Sequence, residues 1–331
     1  MEQLTLGVII ALVAVLAAEF VNGWTDAPNA IATVVSTGVM TPRFAIAMAV
    51  VMNTIGAMAG TAVATTVGQG IVSPSALTIP AITATMIAII SWGTLAAKLG
   101  IPVSKSHALL AGLAGAGLAG GGFDALQWSG WQKVGIGMIC SIGLGLLGAF
   151  TLARLIIRFA AKAAPTPANR TFDQLQLASA AFMAFNHGLN DGQKFMGVFA
   201  LTLLTSGVTS EFTLSWWVII VCALTMGLGT SAGGWRIIET VGMKMARITS
   251  WQGFAATAAA SSTIFGASMH GIPLSTTHTI TSAIVGVAGA KRRSDVRWGV
   301  LRRILFAWVL TFPSCALIAY CAALMANRLW A

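Results

Sequence analysis

Apolar runs of about twenty residues, long enough to cross the hydrocarbon core of a bilayer as α-helices, follow one another along nearly the whole chain. They read as spans 4–40, 44–70, 82–98, 101–120 and 131–157, then 172–207, 214–232, 250–268, 272–289 and 300–325. The first run of each set is too long for one straight crossing and holds polar and helix-breaking residues in its middle, which predicts an interrupted helix. Irregular backbone is tolerated at membrane depth only where protein or a wet cavity covers it. Nothing basic precedes the first run in Met1-Glu2-Gln3, so it reads as a retained span rather than a signal peptide. The pattern predicts an all-α, polytopic integral membrane protein.

The two sets of runs repeat each other. Gly100-Ile101-Pro102-Val103-Ser104-Lys105-Ser106-His107 returns as Gly271-Ile272-Pro273-Leu274-Ser275-Thr276-Thr277-His278, and Asn22-Gly23-Trp24-Thr25-Asp26 returns as His187-Gly188-Leu189-Asn190-Asp191. Polar, interrupted segments at matching places in two halves point to the binding site of a secondary transporter. About five spans per half is an odd number, so the second half enters from the opposite face and the repeat is inverted. The expected organisation is an N-terminal transmembrane repeat 1–163, a polar linker 164–170 and a C-terminal inverted repeat 171–331, with hairpin-like Pro-Ser motifs at the midplane.

Composition sharpens the membrane reading. Hydrophobic residues make up 56% of the chain and charged ones 8%, against about 25% charged in a soluble domain. The net charge of +10 would suit a nucleic-acid partner if clustered. It is instead spread over alternate short loops: Arg43, Lys98, Arg154 to Arg170, Arg236 to Arg247 and Lys291 to Arg303, with the intervening loops nearly free of Lys and Arg. That bias predicts a multi-pass protein of the inner or plasma membrane with both termini outside, surrounded by lipid, and no nucleic-acid partner. Cys140, Cys222, Cys315 and Cys321 are scattered in apolar runs and read as small packing residues.

Two kinds of chemistry stand in the repeated segments. An ionised Asp at membrane depth is costly and marks function. Gly23 and Pro28 loosen the helix around Asp26, which reads as an acidic cap where the helix restarts. Asp26 and Asp191, with Asn29, Asn190 and Gln193, form the candidate coupling-cation sites. Pro102 and Pro273 suit helix starts. Ser104, Ser106, Ser275 and Thr277 then lie at helix N-termini, whose partial positive charge and free N–H groups bind oxyanions. Two such ends from inverted halves can hold one tetrahedral anion. His107 and His278 are candidates for a proton relay or for holding the loops, and His187 is comparable. The four His lack metal-ligand spacing, so no metal or cofactor is expected. Lys194 pairs with Asp191 or touches the anion, and Glu19 is either a second acid of the cavity or an interface residue.

With these motifs the chain resembles the inorganic phosphate transporter (PiT) family, which carries Gly-x-Asn-Asp-x-x-Asn-Ala in one half, His-Gly-x-Asn-Asp-x-Gln-Lys in the other and Pro-[Val/Leu]-Ser-x-[Ser/Thr]-His in both. Gly229-Thr230-Ser231-Ala232-Gly233-Gly234-Trp235-Arg236, Val296-Arg297-Trp298 and Ala307-Trp308 match as well, and the likeness covers nearly the whole chain. It implies a symporter importing phosphate on a proton or sodium gradient, with the Asp elements near the cation and the Pro-Ser elements near phosphate. Thr25 and Lys194 are further candidate phosphate-binding residues read from the sequence itself. Sodium-coupled members look to carry Glu near Asn53 and near Thr257. Both are neutral here, which favours protons. The resemblance further implies transport of a metal–phosphate complex as an option, a compact prokaryotic form, a homodimer and an accessory protein of the PhoU type.

Other classes fit less well. Sulfate is the rival substrate, but a carboxylate beside the anion favours phosphate, which can donate a hydrogen bond. An intramembrane enzyme would need Ser106 and His107, or Thr277 and His278, to face each other, and adjacent helical residues do not. A passive channel is the remaining alternative.

Overall fold

The computed structural model describes residues 5–160 and 165–329. The first half comprises α1 (Leu6–Ser36), α2 (Pro42–Met58), α3 (Ala62–Gly70), α4 (Ile79–Lys98), α5 (Lys105–Gly121) and α6 (Trp128–Ala160). The second comprises α7 (Pro165–His187), a π-helical turn (Gly188–Gly192), α8 (Gln193–Thr205), α9 (Trp216–Ser231) and α10 (Trp235–Ile238), then α11 (Ser250–Met269), α12 (Thr276–Lys291) and α13 (Trp298–Leu329). A second π turn, Glu239–Lys244, extends α10. The described residues hold no strand, only the isolated bridges Val72–Leu126 and Ala246–Val296, which sit at equivalent places of the two halves. Among the described residues, five helices are long and apolar enough to cross a membrane, or up to seven if each bent pair, α2 with α3 and α9 with α10 plus its π turn, is one span.

Several expectations change in detail. Helix α1 runs unbroken through Gly23 and Pro28, so Asp26 is an interior helical residue and not a cap. Pro28 has no N–H to offer the carbonyl four residues back. Gly234, at φ +71°, packs its bare backbone against that Trp24 carbonyl and the Pro28 ring. The expected break exists only in the second half, as the wide π turn around Asp191. Pro102 and Pro273 lie in extended chain two residues ahead of the true N-caps, Ser104 and Ser275. Residues 165–170 of the expected linker already belong to α7, and Ala164 lies outside the described residues. Cys222 and Cys315 are buried, but Cys140 is half-buried and Cys321 exposed.

Helices α4 and α11 end at exposed Lys98 and Met269. From there 100–104 and 271–275 run back into the protein, buried from Pro102 and Pro273 onward. Each following helix packs on the last helix of the other half, α5 on α13 and α12 on α6. Glycines permit the approach: Gly115 lies on the Ala316 backbone and Gly286 on that of Leu146, the small-residue contact that lets helices close up in lipid. The halves of the sequence are therefore interlocked in space.

Candidate functional site

The two extended segments meet at the centre. The hydroxyl of Ser106, in the first turn of α5, reaches the Leu274 carbonyl at 3.2 Å, and the His107 and His278 rings stand 4.4 Å apart, edge to face. Ser104 Oγ accepts from His107 N and Ser275 Oγ from His278 N, both at 3.2 Å. Both serines are thus N-caps that fix the helix starts, and their hydroxyl hydrogens are left to donate elsewhere. His278 stacks on Trp308 of α13 at 3.6 Å, and Trp308 Nε1 donates to the Pro102 carbonyl at 3.1 Å. Neither ring nitrogen of buried His278 has a hydrogen-bond partner among the described residues.

Asp26 and Asp191 face this meeting point with matching partners. Oδ1 of Asp26 accepts from Lys105 Nζ at 2.7 Å and Oδ2 from Thr277 at 3.2 Å. Oδ2 of Asp191 accepts from Thr276 at 2.7 Å, and Oδ1 accepts from Ser106 at 3.4 Å and from Lys194 Nζ. Each acid therefore takes one bond from its own half's hairpin, Lys105 or Thr276, and one from the other half's, Thr277 or Ser106. Asn29 Nδ2 donates to Thr277 at 2.9 Å and Thr276 at 3.4 Å. Lys194 Nζ also donates to Ser106 Oγ and to the Leu274 carbonyl. All these side chains are buried, so each charge needs its partner.

A polar chain approaches Asp191 from the far side. Thr230 donates to the Met226 carbonyl at 2.9 Å and accepts from Asn53 Nδ2 at 3.0 Å. That orients Asn53 Oδ1 toward His187 Nδ1, 3.2 Å away. His187 Nε2 then lies 3.3 Å from Asp191 Oδ2 without an aligned hydrogen bond. Ligand atoms of Asp26, His187 and Asp191 fall within 4.8 Å of one another, a proximity that sequence spacing did not show. Two ammonium groups already stand on these carboxylates, so the donor set as arranged does not favour a resident divalent ion.

The fold thus gathers Asp26, Asn29, Asp191, Lys194, Ser106, Thr277, His107 and His278 as expected, with Ser104 and Ser275 beneath them. Three expected residues point elsewhere. Gln193 Oε1 accepts from Val63 N at 2.9 Å and caps α3. Asn190 Nδ2 donates to Ser268 at 2.8 Å. Thr25 bonds back to the Val21 carbonyl at 2.7 Å, with only a 3.4 Å contact to Asp26. Consecutive helical residues project about 100° apart, so neighbours of the two acids cannot share their face. Thr257 pairs with Ser179, away from the acids. Glu19 is fully buried rather than at the interface; it accepts from Asn22 at 3.3 Å and leaves Oε1 unpartnered. Sequence reasoning missed Lys105 and Thr276. The available signal was the repeat itself: a Lys stands in one copy where the other has Thr, inside an apolar run where a cation needs an acid.

A model of a family described as "Phosphate transporter family" matches residues 22–170 and again 160–319. The chain is 42% identical over 314 residues to a Rhizobium meliloti protein named "Probable low-affinity inorganic phosphate transporter", covering 94% of both chains. It is 38% identical over 333 residues to a Bacillus subtilis protein of the same name, covering 100% of each. A solved structure named "The sodium-dependent phosphate transporter" superposes with TM-score 0.88 at 23% identity, covering 98% of this chain and 100% of the other. At that identity the likeness establishes the fold.

Proposed function

The chain belongs to the phosphate transporter family, and on that premise we propose that it imports inorganic phosphate as a proton-driven symporter, by alternating access around the Asp26–Asp191 centre. It is a multi-pass membrane protein and a transporter, not an enzyme. The observation that carries the mechanism is the convergence of both acids with both capped helix starts in one buried cluster, where Ser106 and Thr277 each bond the acid of the opposite half.

Phosphate would bind at the N-termini of α5 and α12, whose free N–H groups and dipoles favour an oxyanion. The unpartnered nitrogens of His278 lie beside one of them. A divalent oxyanion is too costly to desolvate alone, so a co-bound proton, or a divalent metal carried as cargo with phosphate, would offset its charge. Protons are favoured because Asn53 and Thr257 are neutral where the resemblance implies acids in sodium-coupled members. Asn53 Oδ1 faces His187 Nδ1 and gives that nitrogen the donor role, and His187 joins His107 and His278 as a candidate proton carrier. The interlocked packing supports movement of the bundles α4–α5–α13 and α6–α11–α12, which mix the sequence halves, against the remaining helices. Both termini would face the outside of the inner or plasma membrane, a reading supported by Arg and Lys in alternate loops. A homodimer and a PhoU-type accessory protein remain expectations drawn from the family.

The test is uptake of labelled phosphate into proteoliposomes under an imposed proton gradient, with unlabelled sulfate as competitor. Uptake that collapses with a protonophore and is indifferent to sulfate is the expected result. Uptake of sulfate without phosphate would reject the substrate, and uptake that equilibrates without accumulating would make the chain a passive channel.

A further inference from the structure

Lys105 and Lys194, the buried lysines among the described residues, reach equivalent places from non-equivalent anchors. Lys105 starts on the first hairpin, where the second half has Thr276; Lys194 starts on the interrupted helix, where the first half has Asn29. Yet Lys105 Nζ lies on Asp26 Oδ1 and the Val103 carbonyl, at 2.7 and 3.2 Å. Lys194 Nζ lies on Asp191 Oδ1 and, at 2.7 Å, on the Leu274 carbonyl, with Ser106 Oγ as a further partner. Val103 and Leu274 are the same residue of the repeated motif, one before the capping serine. Each ammonium therefore sits between its own half's acid and its own half's hairpin carbonyl.

What the halves share is the pair of oxygen-lined positions, and each is filled by an ammonium group from a different anchor. Carboxylate, carbonyl and hydroxyl oxygens are the donors a hard metal cation takes. We propose that Lys105 and Lys194 are the coupling-ion determinants of this chain: their ammonium groups are tethered cations filling two pseudo-equivalent sites that would otherwise take free sodium. This rests on the symport reading above. Two carboxylates and two ammoniums cancel, which leaves neither Asp free to recruit sodium. Because a tethered cation cannot leave with phosphate, the travelling charge has to be a proton or the cargo's own metal. Gly93 leaves the space along which the Lys105 stem passes.

Each half supplies the neutral residue for the test: Lys105→Thr copies Thr276 and Lys194→Asn copies Asn29. The wild-type chain and both variants are purified. Their thermal unfolding midpoints are compared in sodium chloride and choline chloride, and phosphate uptake is compared in the same salts at fixed pH. A ligand that binds the folded state raises the midpoint with concentration. The expected result is no sodium-specific shift or stimulation in the wild-type chain, and a saturable sodium-specific rise of the midpoint in at least one variant. Saturable sodium dependence of the wild-type chain overturns the proposal, as does its absence in both folded variants. A variant that folds only in sodium supports it. If neither variant folds in either salt, the wild-type measurement decides alone. Absence of wild-type phosphate uptake would reject the transport reading instead, and the midpoints would still judge the lysines.

Discussion

The hydroxyl of Thr277 donates to Oδ2 of Asp26 across 3.2 Å, although 251 residues separate the two in the chain. Its counterpart, Ser106 on Asp191 Oδ1 at 3.4 Å, spans 85 residues. Neither acid is held within its own half alone, so a motion that separates the two hairpins loosens both acids at once.

Asp26→Asn strands the buried ammonium of Lys105. Breaking a buried pair by removing one partner costs about 3–5 kcal/mol, so the variant is expected to unfold earlier and to lose phosphate uptake. Adding Lys105→Thr is expected to restore most of the stability and none of the uptake. Unfolding midpoints of the four proteins in the cycle give the coupling between Asp26 and Lys105; additive effects would show that the pair does not act together.

Asn53→Leu removes the acceptor of His187 Nδ1 and the donor to Thr230. Leaving buried groups unsatisfied costs about 1–3 kcal/mol, read as a lower unfolding midpoint and slower uptake. Nitrogen NMR of histidine-labelled protein is expected to show hydrogen on His187 Nδ1 in the wild-type chain. A proton confined to Nε2 would contradict the donor role assigned here.

Gly188→Leu is expected to abolish transport by forcing α7 and α2 apart. A Cβ at Gly188 would run into the Asn53 carbonyl, and one at Gly56 into that of Phe185. Overpacking costs about 1–3 kcal/mol, and the same shift would carry His187 away from Asn53. Size-exclusion behaviour and uptake of Gly188→Leu and Gly56→Leu check this, with Gly135→Leu, on the exposed side of α6 with nothing nearby, as the comparison.

Trp308→Phe keeps a ring against His278 but loses the bond to the Pro102 carbonyl, worth about 0.5–1.5 kcal/mol. Trp308→Ala loses both and is expected to cost about 3–5 kcal/mol. The ranking in midpoint and uptake is wild type, then Phe, then Ala. Equal uptake in all three would mean that the indole does not position the hairpin.

In a cysteine-free background, Ser75→Cys and Ser210→Cys are expected to react with an impermeant maleimide on intact cells. Arg247→Cys is expected to react only after permeabilisation. The reverse pattern would invert the orientation of the whole chain.

The amino-acid pattern alone carried the architecture. Apolar runs of bilayer length, an odd number per half and a twice-used Pro-Ser motif led to an inverted helical membrane protein, because lipid leaves few alternatives to satisfying backbone groups within helices. Asp26, Asp191, Ser106, Thr277 and Lys194 were legible because charged and hydroxylic residues at membrane depth are expensive and recur at matching places. Three matters were decided only by the folded chain. Lys105 belongs to the acidic centre because α1 and the first hairpin bring Asp26 to it from 79 positions away. Asn190 and Gln193 leave that centre because helical geometry turns the neighbours of Asp191 to other faces. The helix at Asp26 stays continuous while that at Asp191 widens into a π turn, although both segments hold glycine and acid. Local composition records which residues are costly to bury; which partner offsets that cost depends on contacts between segments far apart in the chain.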